Sequence, residues 1–155
     1  MNLTTKGRYA VMAMVDLAMN GSKGPITLAN IAERQNIALN YLEQIFMRLR
    51  KGGLVQSVRG PGGGYILPIE AKEIKISDIV IAVEESIKMT RCNSKKDGGC
   101  MHGNAKCATH ALWEGLGKQI FNYLQSISLE DMCKQDKTLL VEKELTTNNI
   151  TAQTQ

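Results

Sequence analysis

The chain has 155 residues, roughly one domain by length, with 43% hydrophobic and 22% charged residues, an ordinary balance for a globular protein. That length buries a core without help from metals or disulfides, and no apolar run approaches the ~18 residues of a membrane span. The formal net charge of +4 lies wholly in the first half: residues 1–80 carry ten Lys or Arg against six Asp or Glu, while residues 81–155 carry nine of each. A polyanion is therefore expected to bind the first half.

The opening residues, "MNLTTKGRYA", lack the apolar run of a signal peptide, so a cytoplasmic location is expected. Cysteines there stay reduced, and a cluster of them reads as metal-binding or reactive. The first helix is expected from about Thr5 to Met19, with Val11, Met14, Val15 and Ala18 as its apolar stripe. Asn20-Gly21 ends it. Thr27 is a good N-cap for a short second helix with Leu28, Ile31 and Ala32 inward, broken after two turns by "RQNI". A third helix follows from about Leu39 to Arg50, with Leu42, Ile45, Phe46 and Leu49 buried and Lys51-Gly52-Gly53 as its stop. Two β-like runs, "LVQSV" and "YILP", flank the glycine-rich tip "RGPGGG", Arg59 to Gly64, and read as a hairpin. A fourth helix is expected from an N-cap at Ser77 to about Glu85, with Ile76, Ile79, Val80 and Val83 inward. A fifth, from about Thr109 to Ser126, carries Leu112, Leu116, Ile120, Tyr123 or Leu124, and Ile127 on its apolar side. Ser128-Leu129-Glu130-Asp131 fits a capping box for a last short helix. The end, "TTNNITAQTQ", is polar and has the composition of a disordered tail.

This order predicts a mainly α fold with a small β-hairpin: a winged helix-turn-helix DNA-binding domain over residues 1–80, a ligand loop with a long dimerisation helix over 81–133, and a polar tail over 134–155. In that architecture the third helix enters the DNA major groove. Outside its core stripe it carries Asn40, Tyr41, Glu43, Gln44, Met47 and Arg48. Asn and Gln pair with adenine, Arg with guanine, and Glu accepts from cytosine N4. The bland counterpart is a solvated helix face; the turn before and the hairpin after this helix weigh against it. Arg59, at the base of the hairpin tip, suits a narrow minor groove, and Lys6, Arg8, Arg50 and Lys51 suit phosphates. "VRGPGGGY" is no phosphate cradle, because Tyr65 stands where the Walker form needs Lys-Ser/Thr and no helix opens there.

The stretch "TRCNSKKDGGCMHGNAKCATHALW" holds three of the four cysteines and both histidines. Seven residues separate Cys92 from Cys100, six separate Cys100 from Cys107, and two separate Cys107 from His110. Thiolates bind soft metals, zinc and iron–sulfur clusters. Structural zinc favours closely paired ligands, and here only Cys107 and His110 are close. Long gaps suit a loop wrapped around a larger object such as an iron–sulfur cluster, in which histidine replaces a cysteine on one iron. A zinc site and a thiol redox switch stay as alternatives. His102 reads as an exposed loop residue, with the alternative that it takes the place of His110 as ligand, and Cys133 as a packing residue, with a fourth ligand as the alternative.

Together "LTTKGRYAVMAMVDLA", "YLEQIFMRLRKGGLVQSVRGPGGGY" and "TRC…GGC…KC.THALW" closely resemble the iron–sulfur cluster assembly regulators, a family of small winged-helix bacterial transcription factors. The resemblance covers residues 1 to about 133. It implies a homodimer that binds double-stranded operator DNA and holds a [2Fe–2S] cluster through Cys92, Cys100, Cys107 and His110, with cluster scaffold proteins as donors. It implies repression of cluster assembly genes when clusters are plentiful. The gaps between the cysteines are longer than the family's usual pattern, with residues such as Lys95 and Lys96 added, which bears on loop geometry and cluster exposure more than on ligand identity. Members of the same fold family sense nitric oxide or iron, or carry no cluster; the histidine before "ALW" favours the assembly regulators. The competing expectation is a zinc-stabilised or cluster-free winged-helix repressor that answers nitric oxide, iron or redox state. The long fifth helix would form the dimer seam through Leu112, Leu116, Ile120 and Leu124. No Ser-His-Asp set, carboxylate pair or cofactor fingerprint points to an enzyme.

Overall fold

The computed structural model describes residues 4–84, 101 and 105–134. Its elements are α1 (Thr5–Asn20), α2 (Leu28–Gln35), α3 (Leu39–Lys51), β1 (Gln56–Val58), β2 (Gly64–Ile66), α4 (Ile76–Glu84), α5 (His110–Ser126) and α6 (Leu129–Cys133), with a 3-10 turn at Gly21–Lys23. The expected mainly helical fold with a small hairpin is the observed one. The segments around Cys92 and Cys100, the residue His102 and the expected disordered tail lie outside the described residues.

Each helix begins and ends where local chemistry allows. Thr4 caps α1 by accepting the Gly7 N–H through its hydroxyl at 3.4 Å, and Thr27 caps α2 by accepting from Asn30 at 3.2 Å. The helix-turn-helix bend is made by Asn36, which holds φ +52° and donates its N–H to the Ala32 and Glu33 carbonyls. Asparagine tolerates this left-handed conformation better than other side-chain-bearing residues. After α3, the Leu54 N–H turns back to the Leu49 carbonyl at 3.0 Å. Leu54 and Val55 are thereby drawn into the core, so strand pairing begins only at Gln56 and both strands are shorter than the apolar runs that predict them.

The core joins α1, α2, α3, α4 and the junction of α5 with α6: Ala10, Ala13, Met14, Leu17, Ile31, Leu42, Ile45, Phe46, Leu49, Ile79, Val80, Val83, Ile127 and Leu129 are all buried. The α1 stripe differs from expectation. Met14 is fully buried, but Val11, Val15 and Ala18 are half-buried, and the innermost positions are Ala10, Ala13 and Leu17. The small alanines let neighbouring helices close on α1, so its inner face is set by size as well as hydrophobicity. Ser77 is also not the N-cap of α4. It lies inside the helix, fully buried, and Asp78 reaches back to accept the Lys75 N–H at 3.2 Å instead.

Ile76 donates to the Ile127 carbonyl at 3.0 Å and Leu129 donates to the Ile74 carbonyl at 2.8 Å, lacing the end of α5 onto the start of α4. The Ser128 capping box forms as expected: Asp131 N–H donates to the Ser128 hydroxyl at 3.1 Å, and the Ser128 N–H donates to Asp131 Oδ2 at 2.9 Å.

Candidate nucleic-acid interface and ligand turn

Besides Leu39 in its first turn, the exposed positions of α3 are Asn40, Glu43, Gln44, Met47, Arg50 and Lys51, spaced i, i+3, i+4, i+7, i+10 and i+11. They form one stripe opposite the buried Leu42, Ile45, Phe46 and Leu49, so the side chains suited to base edges share a single face. Two expected readers are placed otherwise. Tyr41 is half-buried and stacks edge-on against Tyr9 of α1, ring centroids 5.8 Å apart. Arg48 is half-buried too, and its Nη1 donates to the Val83 carbonyl of α4 at 2.9 Å. Both point sideways into the scaffold.

The Tyr9–Tyr41 contact sets the start of α1 beside the start of α3, around a hollow lined by Thr5, Tyr9, Asn36, Asn40 and Tyr41. Arg8 is exposed in this first turn of α1 and Lys6 is half-buried. Arg59 is exposed in the β1–β2 connection, where Gly60 and Gly62 hold φ +101° and +72°. The hairpin has a third rail: Ile26 and Tyr65 exchange N–H···O bonds of 3.0 and 2.7 Å. A Cβ on Gly64 would lie 2.4 Å from the Ile26 carbonyl oxygen, so only glycine lets these backbones meet.

Sequence reasoning missed the polar clamp behind the turn. Asp16 is buried in α1, yet its carboxylate accepts from Arg34 Nη2 at 2.6 Å, Arg34 Nε at 3.0 Å, Gln35 Nε2 at 2.7 Å and Asn20 Nδ2 at 3.4 Å. Burial pushes the Asp16 carboxyl up, but these hydrogen bonds and the Arg34 charge outweigh it and hold it below the ordinary carboxylate value. The clamp ties α1 to the end of α2 and so fixes the approach to α3. The available signal was a lone acid in the apolar run "AVMAMVDLAMN", which needs a partner if buried.

Cys107 and His110 share one turn at the mouth of α5. The His110 N–H donates to the Cys107 carbonyl at 3.0 Å. Cys107 is half-buried, and its Sγ lies 3.6 Å from Thr109 Oγ1. The His110 ring is buried, with Nε2 3.8 Å from Glu114 Oε2. Among the described residues no three His, Cys, Asp or Glu side chains converge as a metal site. The donor chemistry of this turn, a thiol and an imidazole one turn apart, fits a soft or borderline metal. Cys133 is half-buried in α6, and burial pushes its thiol pKa up, which suits packing better than ligation. Past the turn, α5 exposes Leu112, Trp113 and Leu116, with Leu112 62% accessible. Ile120 is half-buried, whereas Leu124 packs with Tyr123 against the core of its own chain.

Residues 3–135 match the family model described as Rrf2, iron-dependent transcriptional regulator. The chain belongs to the Rrf2 family. Rrf2 relatives named HTH-type transcriptional regulator IscR, from Photorhabdus laumondii and Escherichia coli, are each 52% identical over 139 residues. These alignments span 90% of this chain and 83% or 84% of the relative. Among solved structures, T. potens IscR is 41% identical with a TM-score of 0.71, covering 90% of both chains. CymR, the global cysteine regulator of B. subtilis, is 32% identical with a TM-score of 0.73, covering 88% of this chain and 99% of its own. This Rrf2 protein is accordingly a DNA-binding transcriptional regulator of winged-helix fold. No described helix is long and apolar enough to cross a membrane.

Proposed function

We propose that this regulator works as a homodimer that senses iron–sulfur supply through a [2Fe–2S] cluster and controls cluster assembly genes. Cys92, Cys100, Cys107 and His110 would hold the cluster, which when bound supplies a redox-active, removable crosslink between loop and helix. The observation that carries the reading is the Cys107–His110 turn placed directly at the mouth of α5, whose next turns expose Leu112, Trp113 and Leu116. An apolar helix face left open in one chain suits a second copy. Two copies joined through α5 would present two α3 stripes to half-sites about one DNA turn apart. Asn40, Glu43 and Gln44 would read bases, Arg59 would enter the minor groove, and Lys6, Arg8, Arg50 and Lys51 would contact phosphates. His110 offers a neutral donor where the other three offer thiolates, which makes for a weaker hold. A site that empties readily reports supply, and it switches genes only if the two forms bind DNA differently.

Anaerobic purification with iron and sulfide analysis tests this. Wild type should be coloured, with ~2 iron and ~2 acid-labile sulfide per chain, and Cys107→Ala should lose both. Colourless protein carrying zinc, or full iron in Cys107→Ala, would contradict it.

A further inference from the structure

We propose that Arg48 is a positioning residue, the strut through which α4 sets the tilt of the DNA-reading helix. The proposal rests on the reading of α3 above and adds a part to it. Arg48 follows Met47 and lies off the exposed stripe; its guanidinium reaches 35 residues along the chain to the Val83 carbonyl, at 2.9 Å. Val83 is buried in the last described turn of α4. The helices are close here for a second reason: a Cβ on Gly52 would stand 3.2 Å from Ala82 Cβ. Beside this contact lies an open hollow lined by Met47, Arg48, Arg50, Lys51, Gly52 and Ala82. The outer edge of the α3–α4 contact is thus open, and a charged donor on a carbonyl is worth more than a neutral bond.

The geometry makes such a strut matter. The first turn of α3 is anchored by Tyr41 against Tyr9. From Tyr41 to Lys51 a helix runs ~15 Å, so a tilt of ~10° about the anchored end moves the far end by roughly 2.5 Å. Hydrogen bonds to bases tolerate a few tenths of an ångström. Asn40 would keep its place, but Gln44 would shift by roughly 0.8 Å and Met47 by more, out of register with base edges, whereas the long, flexible Arg50 and Lys51 side chains follow their phosphates. The strut meets α4 one residue before Glu84, and Cys92 follows eight residues after Glu84 in sequence. A ligand that fixes the cysteine segment therefore acts on the far side of the same bond.

The experiment uses full-length wild type, R48M, R48K and G52A, metal-stripped and iron–sulfide-reconstituted. Anisotropy titrations follow an operator duplex and a scrambled duplex across a salt series. Stripped R48M should bind the operator about tenfold more weakly, leave the scrambled duplex unchanged and keep the wild-type salt slope. R48K should recover to within about threefold, because the lysine ammonium still offers a charged donor to the carbonyl. G52A, whose added methyl asks Ala82 to give by only a few tenths of an ångström and leaves the Arg48 bond in place, should bind both duplexes like wild type. Equal loss on both duplexes with a slope smaller by about one would make Arg48 a phosphate contact and overturn the proposal. Unchanged operator affinity in R48M would overturn it as well. If R48M does not fold, R48Q is titrated in its place: an operator-specific loss supports the strut, and unchanged operator affinity or an equal loss on both duplexes overturns it. Reconstitution should change operator affinity less in R48M than in wild type. A wild type whose affinity ignores reconstitution would sink the sensing account, and the stripped titrations would still judge the strut.

Discussion

Replacing Asp16 by asparagine keeps the shape of the α1–α2 clamp and removes its charge. In the native clamp the carboxylate accepts two close bonds from Arg34, one from Gln35 and a longer one from Asn20. Hydrogen bonds to a charged group contribute ~1.5–3 kcal/mol each, which would sum to far more than a single substitution usually costs. The Arg34 side chain, however, is 38% exposed and regains water when released, so most of its share is recovered. The Gln35 bond and a fraction of the Arg34 pair remain, about 2 kcal/mol. For a chain of this length that lowers Tm by about 4–8 °C. The sign with pH follows from the depressed Asp16 pKa. A carboxylate stabilised in the folded state contributes fully above its unfolded value, near 4, and loses that contribution as pH falls through the folded value. Urea unfolding of wild type and Asp16→Asn at equal protein concentration should thus show a gap of about 2 kcal/mol from pH 5 to 8, closing below about pH 4. A gap under ~0.5 kcal/mol at pH 7, or one that persists unchanged at pH 3, would refute the clamp.

Glu43 is exposed in the middle of the reading stripe, and a carboxylate near the phosphate backbone is repelled unless a base donates to it. Glu43→Ala should broaden the set of bound sequences in a selection on random duplexes; unaltered selectivity would remove that role. Gly64→Ala would place a methyl 2.4 Å from the Ile26 carbonyl oxygen, backbone that cannot swing aside. It should cost ~1–3 kcal/mol by thermal unfolding and weaken DNA binding through the wing, and a neutral result would show that the Ile26–Tyr65 rail is dispensable.

Much of this was legible because local chemistry and tertiary fold agree. The α3 stripe of Leu42, Ile45, Phe46 and Leu49, the Thr27 cap and the Ser128 capping box were each readable from spacing alone. The misses have physical causes. On α1 the innermost places went to Ala10 and Ala13, which a search for large side chains undervalues. Ser77 resembled a cap, but the buried face of α4 claimed it and Asp78 took the capping bond. Arg48 and Tyr41 sit on an arc of α3 that the helical period alone leaves undecided between solvent and neighbour. Only the positions of α4 and Tyr9 decide it, and those depend on contacts distant in sequence. Asp16 and Arg34 stand 18 residues apart, beyond any local pattern.

If ligand capture at the Cys107–His110 turn is coupled to base reading by α3, the loaded and empty forms must differ in operator affinity. An anaerobic operator titration with matched iron–sulfide-loaded and stripped protein, repeated with His110→Ala, tests it most directly. The loaded and stripped wild-type curves should separate by about tenfold or more, and His110→Ala should follow the stripped curve under both treatments. Superimposed wild-type curves, from protein verified to carry its iron and sulfide, would contradict it.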